Sequence, residues 1–246
     1  IVAVTHTHSG PAYGRLFRFA SSLDQKEESE KGKEWSDSLP QKMVQVVGEA
    51  LSRERYACIG FGKTKVDLSV NRRLIEPFGE IRLAPNPEGI IDPEVTILHA
   101  QDAETGHALG TLVNYPCHPV VLCEDNLHYS GDYPFFVLDS LEKQTSAPAI
   151  FINGACGDIN PIRRGNQEAA EWMGQSLARA VYETISSMSM KNEASIAITL
   201  DNVMVPLSTY PSVERVEDYA KAAEQALDRH ISKGDYEGQR LESEVA

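Results

Sequence analysis

The amino-acid sequence predicts an α/β fold in which helices flank a mixed β-sheet. Three observations favour it: strand-like and helix-like segments alternate, two strand-like runs lie close enough to form a hairpin, and other strands are separated by helices. Hairpins join antiparallel strands, whereas crossover helices join parallel ones, so both pairings are expected in one sheet. No internal boundary is evident. We therefore expect residues 1–246 to form a single α/β domain that is truncated at both ends.

The elements are predicted in the following order. The apolar run at 1–5 predicts a strand, and the highly charged segment 21–38 predicts a mobile surface loop or lid, or a plain solvated insertion. Apolar residues at helical spacing predict an amphipathic helix over 39–55. The others are a strand at 56–64, a loop at 76–93, a hairpin of 95–100 and 108–115, a helix at 134–144, a strand at 149–153, a helix at 167–187, a strand at 195–205 and a helix at 213–231.

Composition restricts the partners of this chain. Its 246 residues are 41% hydrophobic, enough for a sizeable core, and the formal net charge is -13. Because nucleic acids and anionic membrane surfaces repel an acidic protein, we expect neither as the main partner. No apolar stretch is long enough for a transmembrane segment. A small neutral or amphiphilic substrate fits this composition, and the oligomeric state stays open.

The chain has four cysteines, at positions 58, 117, 123 and 156. Their spacing predicts neither a disulfide framework nor a cysteine-based zinc site, and it favours buried thiols, although Cys117 and Cys123 could pair in an oxidising compartment. No signal peptide is evident, so a cytoplasmic location is slightly favoured over secretion. The sequence begins without methionine and looks like a fragment, which weakens that inference.

The first motif with chemical potential is the segment THTHSGP at residues 5–11. His6 and His8 are two positions apart, so in an extended strand their side chains would project from the same face and converge on one ion or substrate group. His-x-His is a common spacing of metal ligands. It also arises by chance, and by itself the motif leaves both readings open.

The second motif is NYPCHP at residues 114–119, followed by YSGDYP at 129–134. His118 lies between two prolines, which restrict its backbone as a preorganised ligand requires. A structural histidine in a turn is the alternative. The third motif, NGACGDINP at residues 153–161, runs from a buried strand into a glycine-rich turn whose amides could stabilise an oxyanion. A tight turn capped by Asp158 is the alternative there.

Together with NRR at 71–73 and DPEV at 92–95, these motifs occur in an order that resembles the N-terminal catalytic domain of the neutral/alkaline, non-lysosomal ceramidases, over about residues 1–165. The resemblance implies one zinc ion held by two histidines, a glutamate and a tyrosine. His6 and His118 match the histidine ligands. The glutamate and tyrosine would lie beyond the residues present here.

The resemblance also implies an activity, zinc-dependent hydrolysis of the amide bond of ceramide or a related N-acyl lipid by metal-activated water. His8 matches an active-site histidine and is suited to general acid/base work. Arg72 matches an arginine near the reacting group, where it could stabilise an oxyanion.

Other residues near the motifs are assigned from the same comparison and from their chemistry. The family's proposed catalytic serine aligns with Gly154, and backbone amides from Gly154 to Gly157 could assist Arg72 at the oxyanion. Asp132 and Asp158 could support the ligand histidines or simply cap turns. We place Gly154 and Asp158 among the candidate catalytic residues.

Two rival functions remain. A dimetal phosphoesterase would fit His-x-His with Gly-Asp pairs, but such sites need several bridging carboxylates, and no Asp-x-His or Gly-Asn-His-Asp cluster is present. A ceramidase-like protein that binds an amphiphile without turning it over is the second rival, motivated by glycine at the serine position. The number of metal ions and the presence of turnover separate these readings.

Overall fold

The computed structural model describes residues 2–11, 30–75, 81–123, 125–205, 212–213, 216–218 and 220–221. The chain divides into two compact units, residues 1–194 and 195–246. All regular sheet structure in the described residues belongs to the first unit. The expectation of a single domain stays a prediction, since few residues of the second unit are described.

The main sheet of the first unit has five strands in the order β6-β5-β4-β1-β8. Strands β5 and β6 are parallel, and the remaining neighbours are antiparallel, which confirms the predicted mixed sheet. The predicted hairpin is β4 and β5, and the predicted strands at 56–64 and 149–153 are β1 and β6. The bounds are β1 Ala57–Lys65, β4 Glu94–Asp102, β5 Ala108–Tyr115, β6 Ala149–Asn153 and β8 Met190–Lys191.

A second, three-stranded sheet has the order β3-β2-β7 and is antiparallel throughout. Its strands are β2 Ser69–Ile75, β3 Ile81–Asn86 and β7 Ile159–Pro161. The prediction of a loop over 76–93 was wrong for β3, and β2 was not predicted at all. Both are short strands among turn residues. Strand β3 pairs with its chain neighbour β2, and β2 also pairs with the distant β7, a contact that sequence patterning cannot show.

In the described part of the chain, three helices accompany the sheets, α1 Glu30–Ser52, α2 Asp132–Thr145 and α3 Gln167–Ser186. Helices α2 and α3 confirm the predictions at 134–144 and 167–187. The Asn166 side chain caps α3 by accepting a hydrogen bond from the Ala169 N–H at 2.8 Å. Apolar residues of α2, α3 and the main sheet form one core, which includes Val95, Ile97, Val113, Tyr133, Val137, Leu177 and Val181.

Two predicted strands did not form. Residues 2–7 have no regular structure, and the side chains of Val2 and Val4 are 72% and 64% exposed. Residues 195–205 are likewise irregular and mostly exposed. Apolar patterning alone does not make a strand, because a strand also needs a neighbour for its backbone hydrogen bonds. Within the described part of the chain, neither segment joins a ladder.

The charged segment and the helix after it also differ from the prediction. Helix α1 begins at Glu30 rather than near 39, so residues 30–38 are helical and not a loop, whereas 21–29 lie outside the described residues. The apolar face of α1 is exposed rather than packed among the described residues, with Val44 73% exposed. Of the predicted helix at 213–231, only scattered helical positions up to 221 are described.

Two further properties of the described residues concern function only indirectly. No helix among them is long and apolar enough to cross a membrane. All four cysteines are free thiols, with Cys117 and Cys156 buried. The expectation of buried thiols is therefore confirmed for these two, whereas Cys58 and Cys123 are only partly buried.

Candidate metal centre

Three histidine rings meet at one end of the first unit. The ring centroids of His6 and His118 are 4.9 Å apart, those of His6 and His8 5.2 Å, and those of His8 and His118 5.4 Å. The fold thus brings together three of the side chains that the sequence analysis selected, although more than a hundred positions separate the first two from the third. The three rings form the centre of the candidate site.

The N-terminal segment delivers two of these rings from an irregular backbone. His6 has a φ of 64°, in the left-handed region, so the argument from an extended strand was wrong. Its ring nevertheless converges with that of His8. The segment is held by a few hydrogen bonds, including Thr7 Oγ1–H to the Ser130 carbonyl at 2.9 Å and the His8 N–H to the Pro119 carbonyl at 3.4 Å.

His118 is delivered by a more firmly bonded loop. It is 5% exposed, and its N–H donates to the Ile159 carbonyl at 3.0 Å. Its Nδ1 lies 2.6 Å from the Cys156 carbonyl. A carbonyl only accepts, so Nδ1 carries the proton and Nε2 keeps a free lone pair, which is the usual arrangement of a ligand histidine.

The pKa values of two of the rings favour the neutral form. Burial is the main cause that lowers the pKa of His118 to about 4, and the positive charge of Arg72 lowers it further. Burial, the neighbouring His6 and Arg72 also lower the pKa of His8. Neutral imidazole is the form that binds metal ions or accepts protons, so both rings are ready for either role at neutral pH.

A cysteine joins two of the histidines. The Sγ of Cys156 and one ring nitrogen each of His6 and His118 all lie within 4.8 Å of one another, a group that could hold a metal ion. The Asn153 Nδ2 donates to this sulfur at 3.2 Å. Sequence analysis missed Cys156 as a possible ligand, because it lies 38 positions from His118 and has no knuckle spacing; only its place in the glycine-rich turn hinted at a site.

Arg72 is tied to the same glycine-rich turn. Its Nε and Nη2 donate to the Gly157 carbonyl at 3.1 and 2.9 Å, and its Nη1 lies 3.5 Å from Asn160 Oδ1. Pairing of β2 with β7 accounts for this position, because the Arg72 N–H also donates to the Asp158 carbonyl at 2.7 Å. The guanidinium therefore lies beside the turn, with further N–H groups beyond those that bond Gly157.

Gly154 has a different environment from the one expected of an oxyanion donor. Its N–H donates to the Tyr115 carbonyl at 3.2 Å, so this amide is already occupied. A Cβ at this position would lie 2.8 Å from the Pro116 Cβ, whereas one at Gly157 would meet nothing within 4 Å. Glycine is thus required at 154 for close backbone packing, and a serine there would need the loop to shift.

Asp132 does not contact the histidines through hydrogen bonds. It is fully buried, and its two carboxylate oxygens accept from the N–H groups of Val121 at 3.2 Å, Leu122 at 2.9 Å and Tyr133 at 2.8 Å. Burial raises its pKa, which these bonds oppose. The structure favours the capping alternative, in which Asp132 fixes the loop that follows His118.

Asp158 is also engaged away from the three rings. Its Oδ2 accepts from Asn71 Nδ2 at 3.1 Å, and its backbone carbonyl accepts from Arg72. No hydrogen bond to a site histidine is present among the described residues. Asp158 therefore holds β2 against the glycine-rich turn, and its expected catalytic role stays a prediction.

Two adjoining cavities lie on the His8 side of the three rings. The smaller, of about 210 Å³, is lined by His8 and shares Asn126, His128 and Tyr129 with a larger cavity of about 490 Å³. The larger one continues to the apolar rings of Phe135 and Phe136. A ligand with a polar group and an apolar chain could lie along both, with the polar group near His8.

Comparison with solved structures shows what this fold is similar to. It resembles a ceramidase complexed with C2, with a TM-score of 0.60 and 22% identity over 75% of this chain and 30% of that one. It also resembles the neutral ceramidase from Pseudomonas aeruginosa, with a TM-score of 0.50 and 18% identity over 61% of this chain and 26% of that one. No protein-family model and no curated protein matches the sequence. The chain thus has a ceramidase-like fold and spans less than a third of the length of these two proteins.

Proposed function

We propose that this chain is part of a metal-dependent amide hydrolase that acts on ceramide or a related N-acyl lipid. The observation that carries the proposal is the convergence of the rings of His6, His8 and His118 beside a cavity with an apolar end. The ceramidase-like fold supports the same reaction class.

The donor set fits zinc. Zinc in proteins is held by imidazole nitrogens and thiolates, and catalytic sites keep a position open for water or substrate. The Nδ1 proton of His118 bonds the Cys156 carbonyl, so its Nε2 is free to bind an ion. His6 offers a ring nitrogen close enough to bind the same ion. A zinc ion bound there would supply an activated water nucleophile and polarise the scissile carbonyl.

The chain's own residues would perform the remaining work. His8 is neutral at pH 7 because its pKa is lowered, so it can accept a proton from the attacking water and pass it to the leaving nitrogen. Arg72 carries a positive charge close to the rings and can stabilise negative charge on the carbonyl oxygen. The backbone N–H of Gly154 has no part in this scheme, because it already donates to the Tyr115 carbonyl.

The cavities suggest how the substrate is oriented. An amide near His8 would place one apolar chain toward Phe135 and Phe136, where burial of each CH₂ group contributes about 0.8 kcal/mol. The acidic character of the protein is compatible with a neutral N-acyl lipid.

The test is an activity screen with the full-length protein. Loaded with zinc, it should release fatty acid from at least one N-acyl amide in a panel that includes ceramide, and a chelator should abolish this activity. His118→Ala should do the same, whereas His107→Ala, which changes an exposed histidine, should not. Unchanged turnover in the His118 variant would exclude the proposed mechanism, and zinc binding without any turnover would favour a ceramidase-like binding protein.

The dimetal phosphoesterase receives no support from the described residues. The group of ligating side chains found among them has room for a single ion and contains no bridging carboxylate. Two zinc ions per chain, together with phosphoester cleavage, would reverse this conclusion.

A further inference from the structure

We infer that Cys156 binds the same metal ion as His6 and His118, so that two nitrogens and one sulfur hold it. The inference rests on the proposed metal site and extends it. The resemblance in sequence implies oxygen ligands from elsewhere, whereas the described residues place a thiol at the ion position. Cys156 would make the site softer and less dependent on distant residues.

The distances support a shared ion. Zinc lies about 2.0–2.1 Å from a histidine nitrogen and about 2.3 Å from a cysteine sulfur, so in a tetrahedral site two such ligand atoms lie about 3.5 Å apart. The three candidate atoms lie within 4.8 Å of one another. Small rotations of the side chains would bring them into range, with no change of fold.

The turn that carries Cys156 is also the turn that orients His118. The Cys156 carbonyl accepts the Nδ1 proton of His118, which leaves the other ring nitrogen free to bind an ion. A shift of this turn would therefore move two of the three donor atoms together. Such coupling keeps the sulfur and the imidazole in register, as a preorganised site requires.

Burial raises the pKa of the Cys156 thiol, whereas two neighbours of the sulfur favour its negative charge. Asn153 Nδ2 donates to Sγ at 3.2 Å, and the guanidinium of Arg72 bonds the carbonyl of the next residue, Gly157. A hydrogen-bond donor and a nearby cation stabilise a thiolate. When the ion binds, the S–H bond breaks, the Sγ–metal bond forms and the proton passes to solvent.

Three protein ligands with one open position are the arrangement of catalytic zinc sites. The Cys156 side chain is 7% exposed, so it would fill the protein side of the ion and leave the cavity side to water or substrate. Thiolate and imidazole together favour Zn²⁺ and Co²⁺ over Mg²⁺ and Ca²⁺, which prefer oxygen. The alternative is a buried thiol that bonds only Asn153.

The first test uses Co²⁺ in place of zinc in the full-length protein, because cobalt bound to thiolate gives a charge-transfer band in the near ultraviolet. The wild-type protein should show this band at one equivalent of Co²⁺. Cys156→Ser should lose the band and bind Co²⁺ at least about 100-fold more weakly, since even the loss of an outer partner costs about 10- to 100-fold. Cys58→Ser, which removes a thiol on β1, should keep both.

The second test avoids any variant that fails to fold. X-ray absorption at the zinc edge of the wild-type protein should detect one sulfur neighbour at about 2.3 Å. A shell of nitrogen and oxygen alone would overturn the inference, as would a Cys156→Ser protein with an unchanged cobalt band.

The outcomes separate this inference from the proposed function. If His118→Ala removes the ion and Cys156→Ser does not, the hydrolase proposal stands and the role of Cys156 falls. If neither variant changes metal binding, both fall.

Discussion

The two halves of the candidate site differ in how firmly the protein holds them. The core half consists of the loop around His118 and the glycine-rich turn 153–161, which are mostly buried and joined by short hydrogen bonds. The N-terminal half is the segment 2–11, much of it exposed and attached through a few bonds, two of them 3.4 Å long. The core half is therefore part of the packed structure, whereas the N-terminal half lies on its surface.

This difference suggests what an ion would do for the protein. An ion that binds His6 on one half and His118 on the other would cross-link them, and its binding free energy would include the cost of fixing the N-terminal segment. Changes in the core half should then act on stability first. Changes in the N-terminal half should act on metal affinity and leave the stability of the metal-free protein almost unchanged.

The largest effect on the core half is expected from Asp132→Asn. Asparagine tolerates the positive φ of this position, so the change mainly replaces a carboxylate oxygen with an N–H group that faces a backbone donor. The free energy of unfolding should fall by about 2–4 kcal/mol in urea titrations, because hydrogen bonds to a charged group are lost. Asp139→Asn, which alters an exposed ion pair, should change it by less than about 1 kcal/mol. If the two variants are equally stable, Asp132 does not stabilise the core half of the site as described.

A smaller effect in the same half is expected from Gly154→Ala. The new methyl group would lie 2.8 Å from the Pro116 Cβ, and such overpacking costs about 1–3 kcal/mol of stability. Gly157→Ala is the matched control in the same turn, because its methyl group would meet nothing within 4 Å. Thermal unfolding of both variants checks this; a Gly157 variant as unstable as the Gly154 variant would show that the turn is not packed as described.

The N-terminal half is tested by Thr7→Val, which removes the hydroxyl that donates to the Ser130 carbonyl. The same hydroxyl accepts from the Ser9 N–H at 3.2 Å, so two hydrogen bonds are lost. Zinc affinity should fall by about 5- to 100-fold, because each bond contributes about 0.5–1.5 kcal/mol. Unfolding of the metal-free protein should be unaffected. Thr5→Val serves as control, since no hydrogen bond of its side chain is present among the described residues. Loss of stability without loss of affinity in Thr7→Val would contradict the division into two halves.

The smallest effect concerns His99, a buried histidine outside the site whose Nδ1 pairs with Thr111 Oγ1 at 2.8 Å. Burial lowers the pKa of His99 in the folded state below its value in the unfolded state. The neutral ring therefore stabilises the fold fully above the unfolded-state pKa, and this stabilisation is lost as the pH falls toward the folded-state pKa. Between about pH 7.5 and about pH 5.5, His99→Gln should lose less stability in urea than the wild-type protein does. Metal affinity at neutral pH should be the same in both. A parallel loss of stability in the two proteins would contradict this assignment.

Sequence patterning predicted the parts of this fold whose partners lie nearby in the chain. The β4–β5 hairpin and the helices α2 and α3 have local signals, such as alternation, helical spacing and the Asn166 cap. The failures are non-local. Residues 2–5 look like a strand but pair with no strand among the described residues, whereas β2 pairs with β7, almost ninety positions later.

The candidate site divides in the same way. Short motifs pointed to His6, His8 and His118, and the order of those motifs predicted that the three histidines share one site. The structure places their rings together. Cys156 was not predicted as a ligand, and for Asp132 the sequence left support of the histidines and turn capping both open, because each depends on which backbone groups a loop presents across space. Short-range motifs can nominate ligands, but only the fold can show which groups orient them.

Equilibrium zinc binding tests the central claim most directly. The wild-type protein should bind one zinc ion per chain, His6→Ala and His118→Ala should each abolish tight binding, and His107→Ala should bind as the wild type does. The two variants come from opposite halves of the site, so equal losses would mean that both rings hold one ion. Undiminished zinc binding in either variant would contradict this account.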